Sequence, residues 1–287
     1  MIYYLALNLT IFNLNKLLFY VISLTAHLIN MSKADNDEIL IKRNTKIAKI
    51  LALSFACLFI MNFIMISLIF TWADWVALLI FSLLFITPGY ISNAGMVIVG
   101  RGRPIDGGKF CKDGRRILGD HKTWRGLIFG PLYIGIPISF GIFLLFLALW
   151  PAIEVIPVSG AAEGIYKLYS DIFYYKYYFI GGEFPIGLLM ILIRIILCSY
   201  GAAIGDLIGS FFKRRLNIQS GAPFWIIDQL DFVSIAILFA SIPALIFPGT
   251  YLAPDIFIII FLLILTPSVS IIANTIAYIV GLKNVPW

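Results

Sequence analysis

Six stretches of this chain, at about residues 47–70, 75–99, 126–150, 186–208, 232–247 and 254–281, are apolar almost without interruption. A hydrocarbon core about 30 Å thick asks roughly 20 such residues of a helix that crosses it. A crossing segment must also satisfy its own backbone polar groups, which leaves the α-helix as the solution for runs of this length. The expected fold class is therefore an all-α polytopic membrane protein. Composition agrees: 13% of the 287 residues are charged, against roughly 25% in soluble domains. The 232–247 run is short, stopping at Pro248-Gly249, and is expected to tilt little or to extend N-terminally.

Charge chooses the orientation. Residues 31–49 carry five Lys or Arg, residues 100–125 eight, residues 209–231 three and the C-terminal tail one, so 17 of the 21 share a side. The other side has Lys167 and Lys176, while Lys16 and Arg194 lie within apolar runs. The positive-inside rule puts the 100–125 and 209–231 loops and the C-terminus in the cytoplasm. This asymmetry accounts for the net charge of +6 without a nucleic-acid partner. Residues 1–30, interrupted by Asn8, Asn13, Asn15, Lys16 and His27, lack the features of a signal peptide. They read either as a poor membrane helix or as lying upstream of a physiological start at Met31. Cys57, Cys111 and Cys198 form no CxxC or zinc spacing and are expected as free thiols. The six tyrosines between Tyr166 and Tyr178 mark the outer loop, 151–185, as a membrane-interface segment. Arg194 has two readings, a functional intramembrane charge or a paired, snorkelling structural one.

The 100–125 loop concentrates chemistry. It holds eight basic residues (Arg101, Arg103, Lys109, Lys112, Arg115, Arg116, Lys122 and Arg125), the acids Asp106, Asp113 and Asp120, and six glycines. Glycines admit an anion close to backbone N–H groups, and basic side chains supply point charges and forks for phosphate. Acids interleaved among them fit a divalent cation that also touches phosphate. A solvated orientation loop is the plainer alternative.

A second constellation follows the fourth run. If helical, Asp206, Ser210 and Lys213 fall at i, i+4 and i+7 on one face. After a turn come Asp228 and Asp231, at i and i+3 at the head of the next run. Capping and dipole compensation explain one acid there; three carboxylates at one membrane boundary, facing a basic loop, point to a divalent-metal phosphoryl site, with Mg²⁺ the natural ion. The chain has no Walker A sequence, no Ser-His-Asp logic and no HExxH.

The order Gly205-Asp206, Ser210, Lys213-Arg214, Pro223, Asp228 and Asp231 resembles the C-terminal signature of membrane CDP-diacylglycerol synthases. The loop, with Pro104-Ile105-Asp106-Gly107-Gly108-Lys109 followed by Asp113 to Gly126, is closer to the archaeal branch, the CDP-archaeol synthases, as is the ending Gly281 to Trp287. The resemblance covers about 75–287. It implies a five-helix catalytic core over 71–287, preceded by one or two additional helices within an N-terminal extension, 1–70. It implies Mg²⁺-dependent transfer of CMP from CTP to a geranylgeranylated glycerol phosphate lipid, giving unsaturated CDP-archaeol and pyrophosphate. Carried over by motif, Asp206, Asp228 and Asp231 are the metal ligands, with Lys213 beside them in the catalytic set. Ser210, Lys213 and Arg214 are expected on nucleotide or lipid phosphate. Asp106, Lys109, Asp113, Arg115, Arg116, Asp120, Lys122 and Arg125 are assigned to CTP and triphosphate handling.

The chain departs from the bacterial and eukaryotic signature at Gln219-Ser220, where that signature has Lys-Asp, and at Phe224 to Ile227, where it has Gly-His-Gly-Gly. His121 stands where the archaeal loop has glycine and reads as a tolerated turn residue, with a phosphate contact as the alternative. Two alternatives stand beside this reading: a CDP-alcohol phosphotransferase, whose signature Asp113-Gly114-Arg115-Arg116 does not continue, and a non-enzymatic lipid-binding or transport protein, which would place polar groups at mid-bilayer.

Overall fold

The computed structural model describes residues 37–218 and 222–286; the apolar stretch 1–30 and the departure at Gln219-Ser220 lie outside the described residues. Among the described residues, those up to Leu58 together with those from Ser268 onward make one compact unit, and those between Phe59 and Pro267 another. Every residue of the site described below belongs to the second.

The helices are α1 (Asp37–Ile69), α2 (Trp72–Val99), α3 (Trp124–Phe129), α4 (Ile136–Ile153), α5 (Val155–Glu163), α6 (Ile172–Ile180), α7 (Ile186–Arg215), α8 (Ile227–Ser241), α9 (Pro243–Ile246) and α10 (Ile256–Ile279). A π-helical turn, Gly130–Gly135, joins α3 to α4. Six spans are long and apolar enough to cross a membrane: Ile41–Ile69, Trp72–Val99, Trp124–Ile153, Ile186–Arg215, Ile227–Ile246 and Ile256–Ile279. These are the six runs read from the sequence, and the short fifth is indeed lengthened at its N-terminus. Five spans after an initial helix is the expected all-α architecture.

Local chemistry sets the boundaries. Thr71 and Asp74 form a capping box that starts α2: Asp74 N–H donates to Thr71 Oγ1 at 3.2 Å and Thr71 N–H to Asp74 Oδ2 at 2.9 Å. The same carboxylate, fully buried, accepts the N–H groups of Ile165 and Tyr166 at 3.1 and 3.2 Å, fastening the outer loop. Thr123 caps α3, accepting Gly126 N–H at 3.1 Å, and its hydroxyl donates to the Gly100 carbonyl at 2.8 Å. One threonine thus starts a helix and closes the base of the 100–125 loop.

Helices α7 and α8 meet through a row of glycines four residues apart. A Cβ on Gly201 would lie 2.8 Å from Ala236 Cα, and one on Gly205 2.6 Å from Phe232 Cα; one on Gly209 would overlap the Asp231 carboxylate. Small residues at this spacing let two helix backbones approach closely, and here they draw the first turn of α8 onto the last turns of α7.

The outer loop differs from the expected interface belt. Tyr169, Tyr175, Tyr177 and Tyr178 are buried, with α5 and α6 folded back onto the bundle. Phe81 stacks on Tyr178 at 4.5 Å, and the Tyr177 hydroxyl reaches the Leu252 carbonyl at 3.2 Å. Tyrosine has an apolar ring and one polar tip, so it fills a core as readily as an interface once the hydroxyl finds a partner. Arg194 takes the structural reading in its paired form and does not snorkel. It is 1% exposed, donates from Nη2 to the Tyr178 carbonyl at 2.9 Å, and lies 5.1–5.8 Å from the ring centres of Phe143, Tyr177 and Tyr178.

Candidate active site

The 100–125 loop is a folded object. Its base pairs residues 103–105 with 122–124, through Ile105 N–H to the Lys122 carbonyl at 2.8 Å and Trp124 N–H to the Arg103 carbonyl at 3.4 Å. Its hub is Asp106, 7% exposed. The Asp106 carboxylate accepts Gly108 N–H and Leu118 N–H, each at 3.0 Å, and Arg116 Nε and Nη2 at 3.0 and 3.1 Å. The Arg116 guanidinium, more than the two backbone donors, holds this carboxyl down at a pKa of about 2. Gly107 and Gly108, at φ 56° and 78°, make the turn that brings the Gly108 N–H back to it. Arg116 also donates to Asp120.

Two moorings tie this loop to α7. At the helix's C-terminal end, Arg215 Nη1 donates to Asp113 Oδ1 at 2.7 Å, its Nη2 to the carbonyls of Arg115 and Arg116, and Arg115 returns a bond to the Arg215 carbonyl. Nine residues earlier, roughly 13 Å along the axis, the Lys122 ammonium lies 2.6 Å from both oxygens of Asp206.

Between the moorings is a cavity of about 170 Å³. The turn Gly119–Lys122 forms its loop wall, with His121 and Lys122 facing in; Asp206, Ser210, Lys213 and Arg214 supply the α7 wall, and Asp228 and Asp231 the α8 wall. The i, i+4, i+7 face of α7 is real, because α7 continues as helix through Arg215. Lys213 Nζ lies 2.7 and 2.8 Å from the two oxygens of Asp228. Asp228 also accepts Phe224 N–H at 3.0 Å, so it helps start α8 while facing the cavity. The Asp231 carboxylate is seated against Gly209 and accepts its neighbour's N–H, from Phe232.

Of the residues singled out from sequence, the structure gathers Lys122, Asp206, Ser210, Lys213, Arg214, Asp228 and Asp231 around one cavity. Asp106, Lys109, Asp113, Arg115, Arg116, Asp120 and Arg125 do not line it. Asp106 and Arg116 hold the loop together, Asp113 and Arg115 moor it, and Lys109, Asp120 and Arg125 are exposed. His121 lies in a turn as expected and also lines the cavity. Arg215 was missed; its one sequence signal was its place as third in the run Lys213-Arg214-Arg215 at a helix end.

Among the described residues no group of three or more His, Cys, Asp or Glu is gathered closely enough to grip a metal ion. The donor type is nevertheless the one Mg²⁺ takes. Three aspartates offer hard oxygens, and two of them already hold a compact cation, the ammonium of a lysine.

A model of the family described as CarS-like CDP-archaeol synthase matches residues 75–148 and 167–287. The chain is 40% identical over 216 residues to the CDP-archaeol synthase of Thermococcus onnurineus, spanning 75% of this chain and 96% of that one. It is 37% identical over 210 residues to the CDP-archaeol synthase of Methanococcus aeolicus, spanning 73% and 97%. A solved structure of an intramembrane enzyme for archaeal membrane lipids biosynthesis is 25% identical, covering 69% of this chain and 92% of that chain at a TM-score of 0.41.

Proposed function

This chain belongs to the CDP-archaeol synthase family, and from that premise we propose that the cavity between the 100–125 loop, α7 and α8 is where CTP and the lipid phosphate meet. The protein is a multi-pass membrane enzyme, a CTP-dependent cytidylyltransferase that forms CDP-archaeol in archaeal lipid biosynthesis. The alternatives of a CDP-alcohol phosphotransferase and of a non-enzymatic lipid carrier fall with this assignment. One observation carries the placement of the site: three acids and three basic groups from two distant segments converge on a single cavity.

The lipid substrate is a geranylgeranylated glycerol phosphate, whose phosphate oxygen attacks the α-phosphorus of CTP. The new P–O bond forms as the bond to pyrophosphate breaks, with no covalent enzyme intermediate. The lipid phosphate is already ionised near neutral pH, so the site requires no general base. Lys122, Lys213 and Arg214 neutralise phosphate charge, and Ser210, 6% exposed, offers a hydroxyl to a phosphate oxygen. Asp206, Asp228 and Asp231 would hold Mg²⁺, which when bound supplies charge neutralisation between the phosphates. Orientation and fixed charge account for most of the rate. Residues 71–287 form the catalytic domain, 1–70 an N-terminal addition, and the site opens to the cytoplasm; the basic residues gathered around it support that side.

The test uses the full chain in detergent with Mg²⁺, labelled CTP and digeranylgeranylglyceryl phosphate. Pyrophosphate and lipid-linked nucleotide are expected in equal amounts, abolished by EDTA. Asp228→Asn and Asp231→Asn are expected to abolish turnover rather than raise KM alone. A folded wild type that makes no lipid-linked nucleotide from this or a diacyl phosphatidate defeats the reading.

A further inference from the structure

Lysines hold two of the site's three acids. Lys122 Nζ is 2.6 Å from each oxygen of Asp206, and Lys213 Nζ is 2.7 and 2.8 Å from those of Asp228. Each carboxylate thus turns both oxygens toward one compact cation, as a chelating carboxylate does toward a hard divalent ion. Lysine suits such a place because its charge is a point on a flexible stem, without the rigid fork that arginine would bring. The Lys122 and Asp206 side chains are 24% and 26% exposed, so the pair can part without crossing a sealed core.

Resting on the assignment of this cavity to CTP, we infer that Lys122 is an exchangeable stand-in for the divalent cation. Its ammonium holds Asp206 while the site is free, and moves onto phosphate oxygen when cation and nucleotide arrive together. The backbone beside it is fixed, since the Thr123 hydroxyl is bonded to the Gly100 carbonyl at 2.8 Å and Lys122 N–H to the Gly119 carbonyl at 3.0 Å. The four-carbon stem alone has to swing.

Pairing within the cavity gives the exchange its direction. Asp206, Asp228 and Asp231 share the cavity with Lys122, Lys213 and Arg214, and the Lys122 ammonium is already paired with Asp206. A divalent cation arriving alone would have to displace the Lys122 ammonium from Asp206 with no new anion to receive it. Parting a half-buried ion pair in that way is costly. A cation arriving with a triphosphate brings the anion that Lys122 needs. The lysine therefore rejects free metal and accepts metal–nucleotide, coupling the two binding events.

The experiment titrates Mn²⁺, followed by EPR without nucleotide, into the full chain in detergent, comparing wild type with Lys122→Met. The variant is expected to bind Mn²⁺ about ten-fold tighter than wild type while its CMP transfer falls. Adding Asp206→Asn is expected to remove that gain, which ties it to the freed carboxylate. Equal or weaker Mn²⁺ binding by a folded Lys122→Met overturns the exchange, and CMP transfer by the wild type in the same preparation leaves the CTP reading standing. Should Lys122→Met not fold, Lys213→Met frees Asp228 by the same logic, and unchanged Mn²⁺ binding there also overturns it. Absence of CMP transfer by the wild type defeats the CTP reading and the exchange that rests on it.

Discussion

The carboxylate of Asp231 rests directly on the backbone of Gly209, in space that any side chain at position 209 would fill. The two residues come from different helices, and the contact fixes where the acid points. Gly209→Ala is expected to push the carboxylate aside while the helices stay together, because a side chain can give way. Turnover should fall by about a hundred-fold with little change in thermal stability. Gly205→Ala instead meets Phe232 Cα at 2.6 Å and Asp231's own carbonyl. Backbone yields less easily, so this variant should lose about 2 kcal/mol of stability. Activity assays beside thermal unfolding of both variants check the contrast.

Arg215 makes three bonds to the loop, to Asp113 and to the carbonyls of Arg115 and Arg116, and lines no part of the cavity. Arg215→Met removes those three bonds and leaves the loop held by Lys122 and by the Arg115 bond to the backbone carbonyl of residue 215. The KM for CTP is expected to rise about ten-fold, more than kcat falls. Trypsin should cut faster after the exposed Lys109 and Lys112, and CTP should slow that cleavage. Loss of folded protein with an unchanged KM would instead mean a general structural role.

Asp106 supplies a pH dependence with a definite sign. Its folded pKa, about 2, is below the ordinary carboxylate value near 3.9, so the unfolded chain binds its proton first as pH falls. The stabilisation is therefore complete above about pH 4 and is lost as pH falls toward 2. Asp106→Asn should be less stable than wild type at pH 6, and the gap should close across that window. Unfolding temperatures from pH 6 to pH 2 for both proteins measure it.

Arg194 stands twelve residues before Asp206 on α7, roughly 18 Å along the helix, in a cage of rings. Arg194→Ala leaves the Tyr178 carbonyl and three aromatic faces without their cation, and should cost about 3 kcal/mol. The protein that remains folded should keep its KM for CTP. A raised KM would show that the outer aromatic cluster is felt at the cavity.

The spans were legible because a long apolar run admits few structures in a bilayer; the helices run past the apolar stretches mainly where polar residues continue them, as at Asp37–Ile69 and Ile186–Arg215. The convergence of Asp206, Ser210 and Lys213 was legible because helical periodicity is local; that Asp228 and Asp231 join them needed only the turn between two helices. The tasks within the loop were not legible. Asp106 and Asp113 have the same composition around them, and only the folded loop shows that one is its buried hub and the other a mooring at its edge. The outer tyrosines were misread for a related reason: a tyrosine carries no mark that separates an interface from a core. Arg215 was overlooked, and the cavity-facing side of the His121 turn was not legible, because both depend on how the loop docks, which no spacing in the sequence encodes.

The glycine row on α7 has a further consequence for where a lipid tail can lie. Where Gly201, Gly205 and Gly209 bring two backbones together, the seam between α7 and α8 has no width to admit a hydrocarbon chain. On the function proposed above, the tail of a lipid substrate is expected outside this seam, with its phosphate end toward the acids.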